Sequence, residues 1–359
     1  MLYQNQGDLG EPGLDPLVAE IARLDGPADE AGVWPEGLWQ ALVSSGVTGW
    51  ALPMEMGGEG LERSSLLRRY GRVAEGSMTG AFILSQHDAG LRRLVAAIER
   101  PVARRWVEAV AAGLAFPTVG ISQLTTSKRH GDQAVRIEKT GPGRYRVDGR
   151  IPWVTAATRA DVVVAGAAMD DGRQVLFALP TDRPGVTVQA PFPLAALQAS
   201  CTAEIACDGV EVVEDDLLAD PSPDVMASQA ASGTGGLETS ALALGQGLAA
   251  LKAMEAAGRE DLEEPVEALR EAWDRLRDEL MSTASGEAGT PSAASVRGRA
   301  NALVLRLTQA HLTTRKGSGF LREDPAQRWA RQALFFLVWS CPSPVARAAI
   351  RDMAGLCSF

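Results

Sequence analysis

The sequence predicts an α+β protein of three domains. We expect an N-terminal helical domain at residues 1–115, a middle β-barrel or β-sandwich domain at 116–220 and a C-terminal four-helix bundle at 221–359. Two observations predict this order. Apolar residues recur every three or four positions in the first and last segments, which is typical of amphipathic helices. Between these segments lie short β-rich runs separated by turn residues, which indicate a compact β domain.

Helical periodicity accounts for both ends of the chain. In the first domain it predicts helices, separated by Gly or Pro, at residues 17–24, 34–45, 62–74, 80–98 and 102–112. In the last domain it predicts long helices followed by a short one, at residues 236–257, 264–281, 296–316, 326–338 and 344–354. We expect residues 282–295, rich in Ser, Ala and Gly, to form a flexible loop between two of these helices.

The middle segment has a shorter period. Beyond residue 116 the β-forming runs are YRVDGRIPWV, DVVVAGAAM, QVLFALP, GVTVQAP and TAEIACDGVEVV. Turn pairs such as Asp171-Gly172 and Pro184-Gly185 separate them. These runs end near residue 218, where the helical period resumes.

Composition excludes several classes of protein. The 359-residue chain is 46% hydrophobic and 22% charged, with a formal net charge of −10. No basic run is longer than Lys128-Arg129-His130, so a nucleic-acid partner is not expected. The N-terminus has no apolar signal-peptide core, and the longest apolar run, 333–339, is too short to span a bilayer. We therefore expect a soluble, cytoplasmic protein.

Cysteine and histidine give no indication of a metal site. The four cysteines have no CxxC spacing, so we expect reduced thiols. His87, His130 and His311 are far apart in sequence and lack the spacing of metal ligands. No metal is therefore predicted.

One acidic residue, Glu238, lies at the start of a predicted helix in the segment GGLETSALALGQG. On a helix, Glu238 shares a face with Leu242, Gly245 and Ala249. A carboxylate in a first turn is commonly solvated and interacts with the positive end of the helix dipole. The alternative is a general base in an apolar pocket, with its pKa raised by desolvation. The helix alone leaves both interpretations open.

Three segments, in order, resemble a known family over nearly the whole chain. Residues 34–61 are similar to a first-domain pattern in which a helix runs into "G…P…GG.G". Residues 143–167 are similar to a β-domain pattern, "Y.lnG.K.WIT" followed by "AD…v.A", and residues 316–333 to a C-terminal "GG.G…..P..R..RDA". The chain thus resembles the acyl-CoA dehydrogenase superfamily, divergent in its FAD-contact motifs.

The resemblance implies flavin contacts at one strand. Trp153, Val154 and Thr155 match the family's "WIT" triplet, which lies against the flavin. An aromatic face can wall an isoalloxazine ring, and a hydroxyl can donate to the ring edge near N5. The alternative is an ordinary strand with one face buried.

The resemblance also implies contacts from the loop SQLTTS, where the family has "TEPGAGS". Ser122, Thr125 and Ser127 are expected to serve the flavin's ribityl and phosphate groups. Polar residues after a strand are also commonplace in loops, so this reading has an alternative.

Other flavin contacts are implied near the C-terminal helices. Arg259 matches an Arg that contacts the neighbouring subunit's FAD pyrophosphate, although a solvated surface charge explains it equally well. Gly317 retains one of a pair of glycines whose other member is Lys316 here. Thr313 replaces a Gln, and Cys341 with the following Pro replaces the final "GT".

For the catalytic base, LETSALALG matches the isovaleryl- and long-chain-type branches, whose base is a Glu on the first helix of the C-terminal bundle. Glu238 occupies that position, and Gly245 follows seven residues later. The medium-chain branch's base position falls on Ser340. We expect Gly245 and the neighbouring alanines to leave room for a flat ring beside the acid.

The implied function is α,β-dehydrogenation of an acyl-CoA thioester, with Glu238 as general base and FAD as hydride acceptor. The resemblance further implies a role in fatty acid metabolism, an electron-transfer flavoprotein or similar acceptor, and a homodimer or homotetramer. Two alternatives stay open. One is a flavin-dependent monooxygenase of the same fold, and the other is a non-catalytic subunit with decayed cofactor contacts.

Overall fold

Helices form the N-terminal part of the structure, a computed structural model that describes residues 8–125, 134–228, 236–339, 341 and 343–356. They are α1 Asp15–Ala31, α2 Glu36–Ser44, α3 Arg63–Gly76, α4 Met78–Ala96 and α5 Pro101–Ala111. α4 is the central helix, because its sequence has apolar or small residues on nearly every side and most of them are buried. Ser77 caps α4, its Oγ accepting a hydrogen bond from the Gly80 amide (2.9 Å).

In the described residues, seven strands form one sheet. They are β1 Pro117–Gly120, β2 Val135–Gly141, β3 Arg144–Val154, β4 Val162–Ala168, β5 Gln174–Pro180, β6 Val186–Val188 and β7 Ala203–Val213. The order is β1-β4-β2-β3-β7-β6, and β5 pairs with β4. The β1–β4 pair is parallel, whereas β2–β3, β3–β7, β4–β5 and β6–β7 are antiparallel. β4 and β5 are buried almost throughout, which explains their continuous apolar sequences.

The C-terminal part is again helical. A four-residue helix, α7 Val225–Ser228, precedes α8 Leu237–Ala256, α9 Glu263–Ala284, α10 Ala293–Arg315, α11 Pro325–Leu334 and α12 Ser343–Met353. α8 is the buried helix of this group, and the indole Nε1 of Trp273 in α9 donates to its Leu244 carbonyl (2.9 Å). In the part of the chain that the structure describes, no helix is long and apolar enough to cross a membrane.

The helix ends differ most from the predictions in three places. α1 is longer than predicted and continues through Pro27. α9 and α10 extend into the predicted loop at 282–295, so only residues 285–292 connect them. α11 ends at Leu334, and a 3₁₀ turn, Phe335–Leu337, follows where continuous helix was predicted. Short helices at Ser122–Thr125 (α6) and at α7 were not predicted.

The sheet packs on the N-terminal helices through a close approach of backbones. A Cβ added at Gly90 of α4 would lie 2.8 Å from the Thr118 carbonyl oxygen of β1, so no side chain fits there. Thr118 also joins β1 to the end of β3, because its hydroxyl donates to the carbonyl of Thr155, the residue that follows β3 (2.9 Å). The domain boundaries at 115/116 and 220/221 remain predictions.

Candidate active site

Trp153 is an exposed aromatic residue on strained backbone at the end of β3. Its φ is 57°, in the left-handed region that bulky residues rarely adopt. The ladder between β3 and β7 is irregular between Ile151 and Val154, which accommodates this conformation. The indole is 56% exposed and packs on Phe192, with ring centroids 4.8 Å apart. A large aromatic face is therefore open at the edge of the β domain.

Val154 and Thr155 are buried beside this exposed ring. Val154 ends β3, and Thr155 follows it and is 2% exposed. The Thr155 hydroxyl accepts from the Thr202 hydroxyl at 3.4 Å, and that group lies 2.8 Å from the hydroxyl of Ser200. In this structure the Thr155 hydroxyl thus takes part in an internal hydroxyl cluster, and its donation to a flavin stays a prediction.

The predicted phosphate loop begins next to Trp153. The Ser122 hydroxyl donates to the Pro152 carbonyl at 3.2 Å. Gln123 stands where the family has Glu, and its amide nitrogen donates to the Gly120 and Gly166 carbonyls at 3.0 and 2.6 Å. Thr125 is the last residue of α6, and Ser127 lies outside the described residues. Ser122 and Trp153 are therefore neighbours, as a shared flavin contact requires.

Glu238 lies in the first turn of α8, beside the N-terminal end of α3. A Cβ on Gly236 would lie 3.9 Å from Nη2 of Arg63 and 2.9 Å from Oε2 of Glu238. The Glu238 side chain is partly buried. Its Oε2 atom is buried and has no hydrogen-bond partner among the described residues. A carboxylate oxygen in this state is available to accept a proton.

Gly245 has a different role from the predicted one. A Cβ there would lie 2.0 Å from the carbonyl oxygen of Gly71, so the backbone of α3 fills the space beside Gly245. The expectation that Gly245 leaves room for a flat ring is therefore wrong. Residue 245 is glycine because two helices pack closely at this point. The two helices, α3 and α8, run parallel, since the Arg63 side chain lies near Gly236 and Gly71 lies near Gly245.

A buried polar network that the sequence did not reveal lies between α3 and α4. Tyr70 of α3 donates its hydroxyl to Oδ2 of Asp88 in α4 and accepts from Nη1 of Arg92 (2.9 Å). The other Asp88 oxygen lies 2.8 Å from His87 Nδ1. Tyr70 and Asp88 are fully buried and Arg92 is partly buried. The available signal was the presence of charged residues within the otherwise apolar sequence of α4.

Burial and neighbouring charges shift the pKa values of Tyr70, Arg92 and the adjacent Arg93. Burial, followed by the charge of Asp88, raises the pKa of Tyr70. Burial alone would lower the pKa of Arg92, but Tyr70, Glu238 and Asp88 together raise it. Burial and the charge of Arg92 lower the pKa of Arg93 to about 10, and Nε and Nη2 of Arg93 have no partner in the described chain. Arg92 is therefore cationic and electrostatically coupled to Glu238.

The two remaining predicted contacts lie near the ends of C-terminal helices. Arg259 follows α8 and forms an exposed ion pair with Asp261 (2.5 Å). Because α8 has 20 residues, Arg259 lies roughly 30 Å from Glu238 along the helix axis. Gly317 belongs to a 3₁₀ turn, Lys316–Phe320, after α10. Among the described residues, no group of three or more His, Cys, Asp or Glu side chains could hold a metal ion.

Comparisons with known proteins identify the fold. No family model matches the chain. The probable acyl-CoA dehydrogenase YngJ of Bacillus subtilis (strain 168) is 24% identical over 353 residues, covering 92% of this chain and 93% of that protein. The solved structure of glutaryl-coenzyme A dehydrogenase in its glutaryl-CoA complex matches with a TM-score of 0.81 at 17% identity, covering 99% of this chain and 98% of that chain. The chain therefore has the fold of the acyl-CoA dehydrogenases and is similar to one of them in sequence over nearly its whole length.

The resemblance to the acyl-CoA dehydrogenases and the helical, β and helical architecture were both predicted from the sequence, and both predictions are confirmed. A further relative, the amino sugar nitrososynthase RubN8 of Streptomyces rubradiris, is 28% identical over 217 residues, 57% of this chain and 50% of that protein. Relatives of this acyl-CoA dehydrogenase-like chain thus differ in reaction. The roles of individual site residues stay predictions.

Proposed function

We propose that this protein is an FAD-dependent oxidoreductase that introduces a 2,3 double bond into an acyl-CoA thioester. The observation that carries the proposal is the Glu238 carboxylate, whose buried Oε2 has no partner in the described chain. Glu238 lies at the start of α8, the position at which the resemblance to the isovaleryl- and long-chain-type branches implies the catalytic base. YngJ and the glutaryl-coenzyme A dehydrogenase structure bear names of that activity.

Trp153 supports FAD as the cofactor. An indole that is 56% exposed on strained backbone leaves an apolar face uncovered, which a flat ring system would cover. Ser122 adjoins this face through Pro152, and Thr155 follows Val154 at the same end of β3. Thr125 and Ser127 would contribute to the phosphate side. A bound flavin supplies the two-electron acceptor that the reaction needs.

Glu238 acts as the general base in this proposal. Its carboxylate takes the proton from the carbon next to the thioester carbonyl. The Gly71–Gly245 contact fixes the position of α8 against α3, so the carboxylate is held on a rigid element.

Replacement of Glu238 by Gln tests the base. Glu238→Gln keeps the shape of the side chain and removes the proton acceptor, so turnover with an acyl-CoA should fall by roughly 10²- to 10⁴-fold. The bound flavin spectrum should be unchanged, because the amide preserves the packing. The measurement is anaerobic bleaching of the flavin absorbance by acyl-CoA thioesters, with wild-type protein as reference. Full bleaching by Glu238→Gln would contradict this assignment.

We also propose how electrons leave and how subunits assemble. An electron-transfer flavoprotein or similar acceptor would reoxidise the flavin. Arg259 lies too far from Glu238 along α8 to reach the same flavin, so its predicted contact requires a second subunit. A homodimer or homotetramer provides this subunit, and Gly317 is a further predicted contact of the cofactor. Light scattering of the purified protein measures the assembly.

A second candidate is a flavin-dependent monooxygenase of the same fold, favoured by the similarity to RubN8. Such a reaction consumes reduced flavin and oxygen and needs no carboxylate at 238. Oxygen-dependent activity with a flavin reductase, retained in Glu238→Gln, would support this candidate over the first.

A further inference from the structure

Two strained backbone segments contact each other where β3 ends. Six residues other than glycine have a positive φ in the described part of the chain, and four of them lie in these segments. Trp153 and Ala156 (φ 57° and 56°) belong to the first segment, and Leu197 and Cys201 (φ 59° and 47°) to the second. The Ala156 amide donates to the Ser200 carbonyl at 2.8 Å, which joins the two segments. Strained residues cluster at functional sites, so this junction is a candidate for one.

Three buried hydroxyl groups form a chain of hydrogen bonds at this junction. The Ser200 hydroxyl lies 2.8 Å from that of Thr202, and the Thr202 hydroxyl donates to that of Thr155 at 3.4 Å. Thr155 is also held through its backbone, because its carbonyl accepts from the Thr118 hydroxyl at 2.9 Å. Ser200, Thr202 and Thr155 are all buried, so bulk water does not compete for these hydrogen bonds.

The number of hydrogens gives this chain of hydroxyls a direction. A hydroxyl has a single hydrogen, and that of Thr202 is used in the bond to Thr155. Ser200 is therefore the donor in its contact with Thr202. The Thr155 hydrogen is the last of the chain, and among the described residues it has no acceptor. A buried donor without an acceptor is unfavourable, and a bound molecule with an acceptor at this point removes the cost.

We infer that Ser200 and Thr202 are positioning residues, which orient the Thr155 hydroxyl as a donor to the ring edge of a bound flavin. The inference rests on the proposed function, because it takes FAD as the ligand that covers Trp153. The Cα atoms of Trp153 and Thr155 are at most about 7 Å apart, less than the length of a three-ring system. A ring that covers the exposed indole can therefore also reach this hydroxyl.

A donor held in this direction favours one redox state of the flavin. The ring nitrogen N5 accepts a hydrogen bond in the oxidised flavin and carries a hydrogen in the reduced flavin. Thr155, as a fixed donor, therefore stabilises the oxidised state and lowers the midpoint potential. Without the Thr202 hydroxyl, Thr155 is free to adopt three staggered positions, so oxidised FAD should bind about threefold more weakly. With reduced FAD unaffected, the midpoint potential should rise by about 14 mV, because a tenfold change is about 30 mV for a two-electron couple.

Hydroxyl variants of the full-length protein test the inference through two measurements, the dissociation constant of FAD and the midpoint potential of the bound flavin. Thr202→Val keeps the shape of the side chain and should show both changes, whereas Thr202→Ser should keep wild-type values. Ser200→Ala should shift both quantities in the same direction by less. Thr155→Val removes the donor and should weaken FAD binding about 2- to 12-fold, the value of one neutral hydrogen bond. Adding Thr202→Val to Thr155→Val should change neither quantity further, because Thr202 acts through Thr155.

The matched control is Thr308→Val, which removes another buried hydroxyl, bonded to the Val304 carbonyl at 2.8 Å within α10, and should leave both quantities unchanged. Wild-type values in Thr202→Val would overturn the inference, as would an equal effect of Thr202→Val with and without the Thr155 hydroxyl. If Thr202→Val does not fold, wild-type values in Ser200→Ala overturn it. In either case, bleaching of the wild-type flavin by acyl-CoA would leave the proposed function standing. Failure of the wild-type protein to bind FAD would overturn both.

Discussion

The packing of α3 against α8 can be tested by adding one methyl group. Gly245→Ala places a Cβ 2.0 Å from the Gly71 carbonyl oxygen, 2.7 Å from its carbonyl carbon and 2.9 Å from its Cα. Ordinary contact begins near 3.4 Å, so the helices would have to separate by about 1.4 Å. The neighbour is backbone and cannot rotate away, unlike a flexible side chain.

The expected cost follows from two opposing contributions. Overpacking of a well-packed interface costs about 1–3 kcal/mol, and the upper end applies where backbone must move. Alanine recovers about 1 kcal/mol because it is a better helix former than glycine. The net loss is about 2 kcal/mol, which corresponds to a fall in melting temperature of roughly 3 °C for a chain of this size.

The assay is thermal unfolding followed by circular dichroism, with Gly298→Ala as matched control. Gly298 lies inside α10 and has nothing within 4 Å of its Cβ position, so alanine there should raise the melting temperature slightly through helix propensity alone. If Gly245→Ala melts at or above the wild-type temperature, the backbone contact between the helices is refuted.

Two more predictions concern buried charges. Asp25 accepts hydrogen bonds from Arg328 Nε (2.8 Å) and from the Ser77 hydroxyl (2.6 Å). Asp25→Asn leaves the buried Arg328 guanidinium without its counter-charge and should lower the free energy of unfolding, measured by urea titration, by about 3–5 kcal/mol. The exposed Glu20→Gln control should not differ from wild type. Burial, more than the other charges, lowers the pKa of His311, so the unfolded chain takes up a proton near pH 6.5 that the folded chain takes up only at lower pH. Stability should therefore fall as the pH drops through 6.5 towards the folded-state pKa, and His311→Asn should weaken this fall in melting temperatures measured from pH 7.5 to 5.5; an unchanged slope would contradict it.

Much of the fold could be predicted because it depends on local patterns. Apolar spacing identified the long helices, and the continuous apolar runs of β4 and β5 identified strands that are covered on both faces. Helix ends were less predictable, since tertiary contacts decide whether a last turn continues. The 3₁₀ turn after α11 and the extension of α1 through Pro27 are examples.

The candidate site was predictable only in part. Glu238 was found because a family motif marks it and because a lone acid stands out on an apolar helix. The role of Gly245 was mistaken, because a glycine that leaves space and a glycine that lets another backbone approach have the same sequence signature. Tyr70 and Arg92 were missed, because the contacts that give them significance join residues on different helices.

The contact between Gly71 and Gly245 also has a consequence for inheritance. Glu238 lies on α8 and Arg92 on α4, and the glycine pair packs α8 against α3, the helix that immediately precedes α4. A gene fragment ending before residue 236 would encode Arg92 without Glu238, and the complementary fragment would encode Glu238 without Arg92. Neither fragment contains both α3 and α8. A recombination event that replaces the region carrying one of these helices must therefore preserve the glycine of that helix, Gly71 or Gly245, if the two helices are to pack closely.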